Sequence, residues 1–239
     1  MNISARNMDF KNLNERIRSA AEDVIIDDCY GQRFIGCGLK EKTVTVNGIP
    51  GNALGAYLDG AELVINGNAQ DAVGDTMNAG KIVIDGNAGD ALGYAMRGGS
   101  IFVRGNSGYR TGIHMKEYRD KKPVIAVGGK TGSFLGEYLA GGLILVLGLG
   151  IGDEALIGNF SGAGMHGGRI FIRTDKKPAD LPQQVIAELA SKNDMKEVLP
   201  YIREFAKLFN FDADKLSKDK YYMMHPNGSN PYKQLYTVN

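Results

Sequence analysis

The sequence has no tryptophan, only two cysteines and only seven prolines among its 239 residues. Cys29 and Cys37 are too few to form a disulfide framework in a chain of this length, so we expect two reduced structural thiols. The 28 basic and 27 acidic residues leave a net charge of +1, which creates no field that favours nucleic acid or anionic lipid. The start is not apolar enough for a signal peptide, and no run approaches the roughly 18 apolar residues of a membrane span. These absences predict a soluble, cytoplasmic protein without nucleic-acid or membrane partners.

Glycine, by contrast, is abundant: 33 residues are about twice its usual share of roughly 7%. Many of these glycines follow a repeat of 19 residues whose units carry the pattern GxxGxxxG, in full or in part. The same phase resumes after two insertions, at 113–122 and at 149–157. The glycines of the repeat are Gly48, Gly51, Gly55, Gly67, Gly74, Gly86, Gly89, Gly93, Gly105, Gly108, Gly112, Gly129, Gly132, Gly136, Gly158 and Gly162. Glycine at repeated positions indicates tight corners, because it adopts positive φ without steric cost.

Each unit of the repeat ends in a short run of β-branched and apolar residues, which is typical of strands. Eight such runs occur, at 24–27, 43–46, 63–65, 82–84, 101–103, 124–127, 143–147 and 170–172. No helical pattern separates them, so they cannot form βαβ units and instead suit coils that stack on one another. The sequence therefore predicts an all-β solenoid, a right-handed parallel β-helix of about seven to eight coils with N- and C-terminal helical caps.

Helical periodicity appears only outside the repeat. Near the N-terminus, Leu13, Ile17 and Ala21 recur at a spacing of four residues, with Asn12 as a candidate N-cap. This pattern predicts an N-terminal helical cap at 1–22 that covers the first coil.

Two further helical patterns follow the β-helix, which is predicted to span 23–174. Their apolar residues are Leu181, Val185 and Leu189 for the first helix, and Val198, Ile202, Phe205 and Phe209 for the second. We expect these helices and a tail at 175–239 to cover the open end of the solenoid, since an uncovered edge invites unwanted strand addition.

Three asparagines occupy one phase of the repeat, directly after its leading glycine: Asn68, Asn87 and Asn106. One interpretation is a polar binding stripe. The other is a structural ladder in which stacked amides bond along the solenoid axis. We favour the ladder, because unpaired buried amides cost a few kcal/mol each.

Two glycine-rich segments imitate nucleotide-binding motifs. VIAVGGKTG follows a strand-like run, but the phosphate-loop pattern needs glycine where Val124 stands. Gly162, Gly164 and Gly167 form GxGxxG, yet a strand rather than a helix follows them. Neither segment predicts a nucleotide site, and the sequence predicts no bound cofactor.

Residues suited to catalysis or metal binding are scattered. His114, His166 and His225 lie far apart, and the sequence contains no CxxC, HExxH or GxSxG motif. Asp71 and Asp90 would stack on neighbouring coils, as acids do in some sugar-cleaving β-helices, which leaves a carbohydrate-active protein as an alternative. The repeat has few aromatics to line a sugar site. We therefore predict no catalytic residue and no metal ligand.

A family resemblance rests on the 19-residue repeat together with GKTGSFLGEYLAGG, GNFSGAGMHGG and the tail HPNGSNPYKQLY, which contains Pro231, Tyr232 and Lys233. These segments resemble the C-terminal glycine-repeat (GXGXG) domain of the glutamate synthase large subunit. A scaffold component of formylmethanofuran dehydrogenase shares the glycine repeat and is the alternative. The resemblance covers nearly the whole chain from about residue 23.

The resemblance implies a non-catalytic right-handed β-helix that braces a glutaminase domain against an FMN and iron–sulfur domain, between which ammonia travels to 2-oxoglutarate. This sequence departs from the full enzyme. Asn2 stands where an amidotransferase nucleophile would follow Met1, and neither an FMN-barrel region nor a cluster-type set of cysteines is present. The implied partners are therefore separate glutaminase and FMN/iron–sulfur subunits, and a homo-oligomer also stays open.

The two insertions are the candidate partner contacts, since insertions in solenoids form loops on one face that often bind. The first carries the basic residues Lys116, Arg119, Lys121 and Lys122. The competing interpretation is an ordinary solvated loop. The sequence alone does not separate the two.

Overall fold

A computed structural model describes residues 1–228 of the chain. The part of the tail that contains Pro231, Tyr232 and Lys233 lies outside the described residues. The elements, in chain order, are β1 Asn2–Ser4, α1 Phe10–Ser19, β2 Val24–Tyr30, β3 Thr43–Ile49, β4 Asp59–Asn66, β5 Ala79–Ile84, β6 Ser100–Val103, β7 Val124–Val127, β8 Ala140–Val146, β9 Gly167–Arg173, β10 Val185–Leu189, α2 Lys192–Phe209, α3 Ala213–Lys218 and β11 Tyr221–Pro226.

All eleven strands belong to one sheet, in the order β1-β2-β3-β4-β5-β6-β7-β8-β9-β11-β10. Strands β1 to β9 pair in parallel with their neighbours in sequence, as the coils of a solenoid must. The eight predicted runs all lie in strands, β2 to β9. The structure thus confirms a parallel β-solenoid of about eight turns.

The register of the sheet reproduces the repeat. Leu63 pairs with Ile82, which pairs with Ile101, so equivalent residues 19 positions apart are neighbours. These side chains point inward and are fully buried in one continuous apolar core. The next residue of each strand, such as Val83 or Phe102, points to the outer face of the sheet.

Each corner of the solenoid has left-handed residues at alternate positions. In one coil these are Ala72 (φ 56°), Gly74 (φ 68°) and Thr76 (φ 52°). The N–H groups of Ala72 and Thr76 donate to the following coil, and that of Gly74 donates to the preceding coil. Glycine is needed at the middle position because a Cβ on Gly74 would lie 2.5 Å from Cδ1 of Ile101. The corners therefore hydrogen-bond from coil to coil much as the strands do.

Helix α1 covers the first coil, as predicted, with Leu13 and Ile17 buried in the main core. Its N-cap, however, is Asp9 and not Asn12, because the Asp9 carboxylate accepts the N–H groups of Lys11 and Asn12. Strand β1, which precedes α1 and extends the sheet by one strand, was not predicted.

The helix predicted from Leu181, Val185 and Leu189 is wrong. Val185 and Leu189 lie in strand β10, which pairs antiparallel with β11, and β11 pairs antiparallel with β9. A spacing of four residues fits an extended strand as well as a helix, because alternate residues of a strand share one face. Val185 and Ala187 are buried and cover the core at this end of the solenoid.

The second predicted C-terminal helix is confirmed as α2. It begins with a capping box in which Ser191 and Asp194 bond each other's backbone N–H groups. Its apolar face packs on the outer face of the sheet, where Ile202 and Phe205 share a second core with Phe102 and Phe171. The helix therefore covers a flank of the solenoid, which the sequence analysis did not predict.

Ion pairs fasten α2 to the strands beneath it. Lys81 on β5 pairs with Glu204 at 2.6 Å, and Arg169 on β9 pairs with Glu197 at 2.7 Å. Lys122, from the first insertion, also pairs with Glu197. These contacts cross from the solenoid to the helix, so they fix α2 in position.

Candidate functional site

The corner ridge is the outward-facing row of corner residues that runs along the solenoid, at 33–38, 52–57, 71–76, 90–95, 109–114, 133–138 and 159–164. Exposed aromatic side chains collect there, namely Phe34, Tyr57, Tyr94, Tyr109, Tyr138 and Phe160. Tyr57, Tyr109 and Phe160 are each more than half exposed, at 54%, 55% and 58%. A contiguous row of this kind is unusual on a free surface and marks a candidate interaction site.

Rings stack from coil to coil at the C-terminal part of the ridge. His114 lies between Tyr94, at a ring-centroid distance of 5.9 Å, and Tyr138, at 5.0 Å. In the neighbouring row, Phe134 stacks on Phe160 at 5.2 Å and carries the Arg110 guanidinium on its other side. These contacts hold the aromatic surface rigid.

The middle of the ridge is acidic. Asp71 accepts the N–H of Asp90 at 2.9 Å, and Asp90 accepts the N–H of Tyr109 at 2.8 Å. Asp75 accepts the hydroxyl of Thr76 at 2.8 Å. Within residues 1–228, none of the three carboxylates forms an ion pair with a basic side chain.

The asparagine phase forms a ladder, as favoured from the sequence, but its bonds differ from those expected. The Oδ1 of Asn68 accepts the backbone N–H of Asn87 at 2.8 Å, and that of Asn87 accepts the N–H of Asn106 at 2.7 Å. The Asn68 and Asn87 side chains are not buried, so the argument from buried amides was wrong. Amide-to-amide bonding occurs elsewhere, where Asn66 donates to Asn47 at 2.7 Å.

The first insertion is shorter than predicted, because Ile113 and Met115 are buried residues of the repeat. Its tip turns tightly, with Tyr118 and Lys121 exchanging backbone hydrogen bonds. The four basic residues differ in role. Lys122 pairs with Glu197 and Lys121 lies 3.8 Å from Asp59, whereas the exposed Lys116 and Arg119 have no acidic partner within residues 1–228.

The second insertion is fixed to the solenoid and lines a cavity of about 810 Å³. Lys130, the lysine of the phosphate-loop-like segment, pairs with Glu154 of this insertion. Charged groups of the cavity wall also pair with each other, Arg173 with Asp219 at 2.6 Å and Lys220 with Asp175 at 3.4 Å. The cavity therefore presents paired charges.

The histidines and cysteines serve separate structural surroundings. His114 stacks on the ridge, His166 bonds the Gly164 carbonyl at 3.2 Å, and His225 lies 3.2 Å from Glu188. Burial raises the pKa of the Cys29 thiol to about 11, so that thiol is protonated and unreactive at neutral pH. Within residues 1–228, no group of three or more His, Cys, Asp or Glu side chains is arranged to hold a metal ion, and no helix is long and apolar enough to cross a membrane.

The sequence model of the GXGXG motif family matches residues 5–227. This chain belongs to the GXGXG motif family. The match agrees with the resemblance to the GXGXG domain of glutamate synthase and makes this chain a glutamate synthase-related domain. The chain is also similar to a protein of Methanocaldococcus jannaschii, named Uncharacterized protein MJ1350, with 41% identity over 252 residues that cover 98% of this chain and 95% of the relative. A GXGXG chain of about this length thus exists as a separate protein in that organism.

Sequence reasoning missed the aromatic residues of the ridge on this GXGXG chain. Tyr57 and His114 share one phase of the repeat, whereas Tyr94 belongs to another. The signal lay in these phases, which fall at the corners, where the side chains of Tyr57 and Tyr94 are exposed. A search of outward corner phases for aromatics would have found the row.

Proposed function

We propose that this chain is a non-catalytic structural subunit of glutamate synthase that braces separate glutaminase and FMN/iron–sulfur subunits. The observation that carries the proposal is the match of the GXGXG family over residues 5–227, which is almost the whole chain. In the family resemblance this domain supplies no catalytic residue. Glutamine hydrolysis needs an activated nucleophile with an oxyanion site, and electron transfer needs a bound cofactor. Those parts are assigned to the partner chains.

The architecture suits such a role. Coil-to-coil hydrogen bonds run through both the strands and the corners, and α2 is tied to the sheet by the ion pairs of Glu197 and Glu204. A rigid solenoid can hold two partners at a fixed separation. The corner ridge and the basic residues Lys116 and Arg119 provide surface for them.

The test is reconstitution from separately purified subunits. Glutaminase activity, reduction of 2-oxoglutarate with added ammonia, and glutamine-dependent glutamate formation are measured with and without this chain. We expect the partial reactions to persist without it and the coupled reaction to fall by about tenfold or more, which is a loss of roughly 1.4 kcal/mol of positioning. The isolated chain should be colourless and should release no ammonia from glutamine. Normal coupling without the chain would contradict the proposal.

A scaffold subunit of a formylmethanofuran-dehydrogenase-like oxidoreductase is the alternative within the same repeat class. The cofactors of co-purified chains separate the two. FMN together with glutaminase activity supports glutamate synthase. Co-purification with formylmethanofuran dehydrogenase subunits and none of the glutamate synthase components would favour the alternative.

A further inference from the structure

The middle of the corner ridge combines exposed tyrosines with stacked carboxylates. The N–H of Tyr57 donates to the carbonyl of Asp75 at 2.7 Å, so Tyr57 and Asp75 lie on adjacent coils. The N–H of Tyr109 donates to the Asp90 carboxylate at 2.8 Å, so Tyr109 borders the acidic row on its other side. Tyrosine is enriched where protein interfaces bind most strongly, because its ring adds contact area at low entropic cost. The rings mark the surface as a contact site.

The negative charge on this row is not required by the fold. Asn52 occupies the same phase as Asp71, and its Oδ1 accepts the N–H of Asp71 at 3.3 Å. In the parallel ladder, Asn68 and Asn87 provide the same bond at 2.8 and 2.7 Å. An asparagine therefore supplies the acceptor that the backbone needs, and the charge of the aspartates is additional.

That charge acts against the fold of the isolated chain. Asp71 and Asp90 occupy successive coils, whose backbones lie about 4.8 Å apart, and like charges directly opposite each other destabilise a sheet. Asp75 adds a third negative charge on the coil of Asp71. No basic side chain within residues 1–228 pairs with any of them, whereas Asp85 on the same solenoid has Arg104 at 2.8 Å. A cation that relieves this repulsion must come from another molecule.

We propose that the ridge segment formed by Tyr57, Asp71, Asp75, Asp90 and Tyr109 binds an arginine- or lysine-bearing segment of a partner protein. This inference rests on the proposed function, since it names the chemistry by which one of the synthase subunits docks. The carboxylates pair with the cationic groups of the partner. The tyrosine rings receive its aliphatic stems and guanidinium planes, which stack favourably on aromatic faces.

The experiment measures binding of the full-length chain to the purified glutaminase and FMN/iron–sulfur subunits at several sodium chloride concentrations. Asp71→Asn/Asp90→Asn removes two charges and keeps both ladder acceptors. The matched control, Asp153→Asn/Asp175→Asn, removes two charges from highly exposed carboxylates on the second insertion and the segment after β9. We expect the ridge variant to weaken binding of one subunit by about tenfold or more and to flatten its salt dependence, and the control to change neither.

Two further measurements make each outcome decisive. The melting temperature of Asp71→Asn/Asp90→Asn should equal or exceed that of the parent, and a marked fall would show that the charges serve the fold, which overturns the inference. A hexa-arginine peptide should compete with the bound subunit, and a hexa-glutamate peptide should not. Unchanged binding of both subunits to the ridge variant also overturns the inference, but leaves the proposed function intact.

If neither subunit binds the parent chain, the proposed function fails and the hexa-arginine peptide alone decides the inference. Binding of that peptide to the parent at low salt, reduced about tenfold in the ridge variant, supports the cationic site. Absence of binding overturns it. Binding of an oligosaccharide that depends on Tyr57 and Tyr109 and not on salt would likewise overturn it, in favour of a sugar-binding surface.

Discussion

The imidazole of His114 stacks on the ring of Tyr138, with centroids 5.0 Å apart and planes 7° from parallel. The two residues are 24 positions apart, because the first insertion lies between them. The backbone ladder continues across the insertion, since the N–H of His114 donates to the carbonyl of Glu137 at 2.9 Å. The loop therefore leaves the solenoid and returns without breaking the stack of coils. The aromatic row is thus continuous even where the sequence repeat is interrupted.

The central glycine of a corner should resist substitution. Gly74→Ala places a Cβ 2.5 Å from Cδ1 of Ile101 at a φ of 68°, so both overpacking and backbone strain act together. We expect a loss of about 2–4 kcal/mol in the free energy of unfolding, measured by urea denaturation.

Ala72→Gly is the matched control for that substitution. Ala72 has a φ of 56° and its corner position is partly exposed. Glycine relieves its left-handed strain without a packing loss, so the control should be neutral or stabilising by about 1 kcal/mol. Equal destabilisation by both variants would contradict this account of the corner.

The asparagine ladder should contribute to stability through its acceptor. Asn87→Ala leaves the N–H of Asn106 without its 2.7 Å partner on the preceding coil. We expect a cost of about 1 kcal/mol, or a fall of roughly 2–4 °C in melting temperature, since water replaces the bond only in part. Asn87→Asp keeps the acceptor and should fall less. Equal melting temperatures for Asn87→Ala and the parent would show that the ladder does not stabilise the fold.

Acid should loosen the start of α2. The hydroxyl of Ser191, and next its backbone N–H, hold the pKa of Asp194 below its ordinary value of 3.8. A group whose pKa is lowered by folding stabilises the protein above the unfolded value, and that stabilisation is lost as the pH falls through the folded value. We therefore expect the difference in unfolding free energy between the parent and Asp194→Asn to shrink below pH 3.8. Curves that stay parallel from about pH 6 to about pH 2 would contradict this linkage.

The solenoid was predictable because one period governs most of the chain. A residue and its equivalent 19 positions on occupy neighbouring coils, so the pairing of Leu63 with Ile82 follows from the repeat alone. The hairpin of β10 and β11 did not follow, because Leu181, Val185 and Leu189 fit the periods of a strand and of a helix equally well. Which period prevails depends on β11, a partner strand far along the chain.

The corner ridge was not predictable from composition or motif. Its aromatics come from several phases and several coils, and only the stacked backbone brings Tyr94, His114 and Tyr138 together. The exposed carboxylates were visible in the repeat, but their lack of cationic partners within residues 1–228 is a property of the folded surface. Sequence periodicity gives positions along one axis. Contacts between phases require the shape of the coil.

The basic residues of the first insertion should divide into two classes when their charge is reversed. Lys122 pairs with Glu197 on α2, so Lys122→Glu replaces an attraction by a repulsion with both Glu197 and Glu117 and should lower the melting temperature. Lys116 and Arg119 are exposed and have no acidic partner within residues 1–228, so Lys116→Glu/Arg119→Glu should leave the melting temperature unchanged.

If the insertion contacts a partner protein, the second variant should weaken assembly, because rim charges act on association more than on folding. Thermal denaturation and co-purification of the synthase subunits are measured on both variants. Lys122→Glu then serves as the control for destabilisation, and any loss of assembly in it should follow its lower melting temperature. Intact assembly with Lys116→Glu/Arg119→Glu would exclude the charged tip of the insertion from the interface and leave the corner ridge as the surface that the partner contacts.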